Sequence, residues 1–159
     1  MGGKEMPEWK LEKALNIALA MEDQSIQLYT SAQGRVLNPG SRQFLKELVK
    51  EEENHERKIL GAMRDPEKIG EIGALGANIP NLQISDKLEE TSLSPEADYQ
   101  DLLIYASKRE KETHDFYVNL AKTYRGKQIG DMFTKLAQEE LKHKYRLEQE
   151  YDDVVLKEM

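Results

Sequence analysis

A chain of 159 residues, 38% hydrophobic and 33% charged, is long and apolar enough for one domain spanning 1–159, and too apolar and too mixed in sign to be disordered. Its net charge of −7 argues against nucleic acid or an anionic membrane as the main partner, and the absence of cysteine excludes disulfides, thiolate metal sites and cysteine nucleophiles. With no signal-peptide stretch and no run of the ~18 apolar residues a membrane span needs, the expectation is a soluble cytoplasmic protein.

Helix-period patterning covers four segments. In the first, Leu11, Leu15, Ala18, Glu22, Ser25 and Tyr29 fall on one face. NPGS (38–41) breaks the pattern, with Ser41 expected as the N-cap of the second segment. That segment carries Leu45, Leu48, Glu52, His55 and Ile59 on its seam. From about 66 to 93 the period fails; IGEIGALGANIPNLQIS, rich in Gly, Asn and Pro, reads as a long connection. SPEA (94–97) then offers Ser94 as N-cap and Pro95 at the first helical position. The third seam runs Tyr99, Leu103, Ala106, Glu110, Thr113, Tyr117, Leu120 and Tyr124, and RGKQ (125–128) ends it. The fourth has Phe133, Leu136, Glu140, His143, Leu147 and Val154, with polar Glu150 among them, and extends almost to Met159. The charge runs KLEKAL and KREKE read as solvated helix faces. Seams spaced by alternating threes and fours belong to helices packed at a shallow angle.

The two halves repeat. At a shift of 88 residues Leu15 falls on Leu103, Glu22 on Glu110, Tyr29 on Tyr117, Glu51 on Glu139, Glu52 on Glu140 and His55 on His143. A two-copy period of this length is a duplicated helical hairpin, not a solenoid. Two short-loop hairpins joined by one long crossover give an all-α four-helix bundle of ferritin-like connectivity.

Glu22 and Glu52 are 30 residues apart about a midpoint at 37, in the first turn; Glu110 and Glu140 are 30 apart about 125, in the second. Residues equidistant from an antiparallel turn lie at one height, so Glu22 faces Glu52 and His55, and Glu110 faces Glu140 and His143. Each Glu-x-x-His pair projects from one helix face. Four carboxylates buried together are strongly unfavourable unless they are protonated, the fold differs, or cations neutralise them. Two divalent ions carry +4 against −4, and two histidines complete a mixed shell suited to iron or manganese.

Glu22, EENH (52–55), Glu110 and EELKH (139–143), with Tyr29 and Tyr117 seven residues after the first and third glutamates, resemble the ferritin-like di-iron proteins, and among them the rubrerythrins most. The resemblance implies that Glu22, Glu52, His55, Glu110, Glu140 and His143 ligate two iron ions, or manganese, with Glu52 and Glu140 bridging or chelating. It implies a di-iron oxidoreductase reducing hydrogen peroxide or O2 in peroxide defence. The alternatives are a ferroxidase for iron storage or detoxification, or a helical module with a structural metal such as zinc. Two departures stand out. Rubrerythrins commonly carry a cysteine-rich electron-transfer module, so a chain without cysteine needs an external electron donor. They also place an extra glutamate where this chain has Thr113, which favours a symmetric six-ligand site. Bundles of this kind often pair, so a homodimer is expected, with hairpin exchange open.

Three further readings concern neighbours of the site. Tyr29 and Tyr117 are core aromatics, or partners of a ligand glutamate. Glu51 and Glu139 accept a hydrogen bond from the histidine of the opposite helix, or are simply solvated. His114 is a packing histidine or an auxiliary ligand beside the gap at Thr113.

Overall fold

The computed structural model describes residues 7–64, 93–94 and 96–155, and nearly all of these are helical. The helices are α1 (Pro7–Gln33), α2 (Pro39–Met63), α3 (Tyr99–Thr123) and α4 (Gln128–Glu150), followed by a π-helical turn over Tyr151–Val155. No strand occurs among the described residues. The crossover expected at 66–93 lies outside them, apart from Leu93, which packs against the apolar end of the bundle.

Local chemistry sets the helix starts, not always where expected. Asn38, not Ser41, caps α2. Its side-chain oxygen accepts from the backbone N–H of Gly40 at 2.8 Å and of Ser41 at 3.1 Å, and Pro39 takes the first helical position, where a missing N–H costs nothing. Asp98, not Ser94, caps α3 through the Asp101 N–H at 2.8 Å; Pro95 lies outside the described residues. Between α3 and α4 the chain turns on Gly126 at φ +84°, a left-handed conformation that favours glycine. The α-helical part of α4 ends at Glu150 and passes into the π-helical turn to Val155; the remainder of the extension expected toward Met159 lies outside the described residues.

Each helix pairs with its hairpin partner, α1 with α2 and α3 with α4, and the hairpins meet through α1 against α3 and α2 against α4. Tyr29 reaches Glu110 while Tyr117 reaches Glu22, so α1 and α3 run antiparallel. His55 reaches Glu139 while His143 reaches Glu51, so α2 and α4 do too. α2 therefore ends and α3 begins at opposite ends of an all-α four-helix bundle.

The seams close into two apolar plugs. Leu11, Leu15, Ala18, Ile59, Leu120, Tyr124, Phe133 and Leu136 fill one end. Tyr29, Leu45, Leu48, Leu103, Ala106 and Leu147 fill the other. The polar seam residues lie between the plugs, all buried: Glu22, Ser25, Glu52, His55, Glu110, Thr113, Glu140 and His143. Each plug keeps water from one side of that layer.

Candidate metal centre

The layer brings together all six residues expected as ligands. Glu22 comes from α1, Glu52 and His55 from α2, Glu110 from α3, and Glu140 and His143 from α4; none is more than 1% exposed. The imidazole rings stack with centroids 5.6 Å apart and turn their Nδ1 atoms toward the carboxylates. His55 Nδ1 lies 2.7 Å from Glu140 Oε1, 2.9 Å from Glu52 Oε1 and 3.5 Å from Glu22 Oε2. His143 Nδ1 lies 3.4 Å from Glu52 Oε1, 3.7 Å from Glu110 Oε2 and 3.9 Å from Glu140 Oε1.

These atoms form two groups, Glu22–Glu52–His55–Glu140 and Glu52–Glu110–Glu140–His143, and within each a donor atom from every residue lies within 4.8 Å of the others. Donors bound about 2.1 Å from one ion stand about 3 Å apart at right angles and about 4.2 Å apart across it. A bound of 4.8 Å is close to that requirement, and the two groups share Glu52 and Glu140. The donor set, carboxylate oxygen with imidazole nitrogen and no sulfur, suits iron or manganese.

Ten buried side-chain nitrogen and oxygen atoms have no hydrogen-bond partner among the described residues, and eight of them belong to these six residues. A buried polar atom without a partner costs about 1–3 kcal/mol, more if charged. Several of the eight stand at ion-pair distance from one another without a hydrogen bond of good geometry, and a pair of cations between them would satisfy all eight.

Without cations, protons and histidines share the charge. Burial first, then the charge of Glu52, raises the Glu22 carboxyl to about 8. Burial and the neighbouring Glu110, Glu22 and Glu52 push Glu140 well above the usual carboxylate range. Burial opposes ionisation of Glu52 as well, but His143 and His55 outweigh it and hold that carboxyl low. Burial likewise opposes charge on the histidines, yet the carboxylates raise His55 to about 10 and His143 to about 12.

The orienting bonds all cross between hairpins. Tyr117 donates to Glu22 Oε2 at 2.6 Å and Tyr29 to Glu110 Oε1 at 2.7 Å, each from a fully buried hydroxyl. His55 Nε2 lies 2.6 Å from Glu139 Oε1, and His143 Nε2 lies 2.9 Å from Glu51 Oε1. With Nε2–H donating outward, Nδ1 is free to accept a cation. The tyrosines are thus carboxylate partners, and Glu51 and Glu139 engage the opposite histidines.

Two expected neighbours stay outside the donor groups. His114 Nδ1 lies 2.9 Å from the carbonyl of Ala137, which fits the packing role. Thr113 is buried but donates to the carbonyl of Arg109 at 2.9 Å, one turn back on its own helix. Arg109, by contrast, is only 5% exposed, which corrects the reading of KREKE as a solvated face at that residue, while Lys108 and Lys111 are exposed. Its guanidinium crosses to α1 and reaches the Met21 carbonyl at 3.4 Å and Gln24 Oε1 at 3.3 Å. The repeat carried a signal for this, because the counterpart of Arg109 is Met21, a buried position.

The family model described as Rubrerythrin matches residues 101–159, the second hairpin and the turn beyond it. The resemblance drawn from the Glu-x-x-His motifs holds there. No curated protein and no solved structure matches the chain. No described helix is long and apolar enough to cross a membrane.

Proposed function

We propose, from a rubrerythrin-type second hairpin and a buried place for two cations, that this chain is a non-haem di-iron oxidoreductase. It reduces hydrogen peroxide or O2 with electrons from a separate donor. The observation that carries this reading is the convergence of eight unpartnered buried donor atoms on two groups that share Glu52 and Glu140. Glu22 and His55 would hold one ion, Glu110 and His143 the other, with Glu52 and Glu140 common to both. Two iron ions held there would supply one electron each to the reduction of peroxide or O2.

The chain's own residues do the rest. Tyr29 and Tyr117 orient the glutamates of α3 and α1. Glu51 and Glu139 fix which histidine nitrogen faces inward. The apolar plugs exclude bulk water. With no cysteine in the chain, the electrons come from a partner.

The second reading is a ferroxidase. Thr113, whose hydroxyl donates to the Arg109 carbonyl, stands where the resemblance implies an extra glutamate ligand, and that departure weighs against rubrerythrin-type peroxide reduction.

The deciding experiment is metal content by mass spectrometry on anaerobically purified protein, beside a Glu52→Ala, Glu140→Ala variant. Two iron or manganese per chain are expected, lost in the variant. Steady peroxide turnover with a supplied reductant then supports the oxidoreductase; iron uptake beyond two per chain supports the ferroxidase. A metal-free protein whose variant folds equally well refutes both.

A further inference from the structure

The six buried donors and their orienting partners obey the 88-residue repeat, but the groups just outside them do not. Glu51 and Glu139 are counterparts, and so are Arg146 and Lys58. Arg146 is held on three sides. Its Nη1 lies 2.8 Å from Glu51 Oε2, its Nη2 lies 3.0 Å from Glu47 Oε1, and its guanidinium sits 5.5 Å over the Phe44 ring. Lys58 stands 3.7 Å from Glu139 Oε2. The counterpart of Glu47 is Lys135 and that of Phe44 is Met132, so the repeat supplies Lys58 with neither a second carboxylate nor an aromatic plate. The difference carries inward: Glu139 approaches His55 to 2.6 Å, while Glu51 stands 2.9 Å from His143.

We propose that the two cation positions are unequal: the position formed by Glu22, Glu52, His55 and Glu140 fills first and holds its ion more tightly than the one formed by Glu52, Glu110, Glu140 and His143. The proposal rests on the two-cation reading above. A carboxylate that accepts the outer N–H of a ligand histidine strengthens the inner nitrogen as a donor. A guanidinium bound to that same carboxylate draws off part of its charge. Glu51 shares itself between His143 and Arg146, whereas Glu139 serves His55 with only a distant ammonium beside it. By this outer bracing His55 is the stronger donor; the firmer hold of His143 on its proton in the metal-free protein, kept against burial, comes first from Glu110, itself one of the inner donors of that position. Outer partners change metal affinity by roughly 10–100-fold when removed, so unequal bracing of one is expected to give about tenfold. The chain then takes up ions in order, one retained and one exchangeable.

The test is an equilibrium titration of metal-free protein with Co2+ alone, followed by visible absorption and by calorimetry. Wild type is expected to show two steps with dissociation constants about tenfold apart. The side chains of Arg146 and Lys58 are 35% and 47% exposed, so exchanging them leaves the core intact. Arg146→Lys should draw the two steps together, as should Lys58→Arg to a lesser degree because Lys135 and Met132 offer it no clamp, and the double exchange should bring them closest. The first step should survive in His143→Ala and vanish in His55→Ala; if either variant fails to fold, the charge exchanges decide alone. One step of two equal sites overturns the proposal, as do two steps whose separation neither exchange moves. Absence of any Co2+ uptake overturns the two-cation reading itself, and the ordering with it.

Discussion

Tyr29 and Tyr117 each give their single hydroxyl to a carboxylate of the other hairpin. Tyr117→Phe leaves Glu22 Oε2 without its donor, and Tyr29→Phe does the same to Glu110 Oε1. Either change should lower stability by about 1–2 kcal/mol, the cost of an orphaned buried acceptor. Because the positions are related by the repeat, the two losses should agree when measured by urea denaturation. A variant as stable as wild type would contradict the orienting role. At this scale the sequence was most informative where a polar residue interrupted an apolar seam, as Glu52 and His55 do. It was least informative for Arg109. A charged residue in a run of charges looks solvated, and only the three-dimensional fit against Met21 and Gln24 shows that this one is buried.

Where α4 starts, its backbone runs close against the turn that ends α3. A Cβ on Gly130 would stand 2.1 Å from the carbonyl oxygen of Tyr124, so no other residue fits without moving backbone. Gly130→Ala should cost about 1–3 kcal/mol by overpacking. Gly61, exposed within α2, has nothing within 4 Å of the same added atom. Gly61→Ala should raise stability by about 0.5–1 kcal/mol through helix propensity alone. Chemical denaturation of the pair checks both signs, and a Gly130→Ala variant as stable as wild type would refute the close approach. The helix interiors were legible from period alone, but their starts were not. NPGS contains several residues able to cap, and local pattern does not choose among them. Ser41 is unavailable for a reason far away in the chain: its hydroxyl donates to Glu150 at 2.7 Å, and Tyr99 donates to the same oxygen at 2.6 Å. That also explains a polar residue at the end of the fourth seam.

For the molecule as a whole, protons and metal ions compete for one set of atoms. In the metal-free protein Glu22 is raised from its ordinary 4.5 to about 8, and His55, despite burial, from 6.5 to about 10. A group whose folded value lies above its unfolded one stabilises the fold fully below the unfolded value and loses that contribution as pH climbs through the folded value. The metal-free protein should therefore lose stability as pH rises from about 5 to 10. With ions bound the sign reverses, because acid returns protons to the ligands and expels the ions. Thermal midpoints of metal-free and Co2+-loaded protein across this range should slope in opposite directions; parallel slopes would contradict the competition. The connectivity and the height of the polar layer were readable from equal distances about two turns. The charge balance around it was not, since it depends on contacts between α2 and α4 that no local pattern encodes. Those contacts have a historical meaning as well. A single hairpin owns half of the donor atoms and none of the hydroxyls or outer carboxylates that aim them, yet two identical hairpins would supply each other in full. The polypeptide has the form of a symmetric pair of small ancestors fused end to end. Arg146 against Lys58, Glu47 against Lys135 and Arg109 against Met21 are among the places where the two halves are no longer alike.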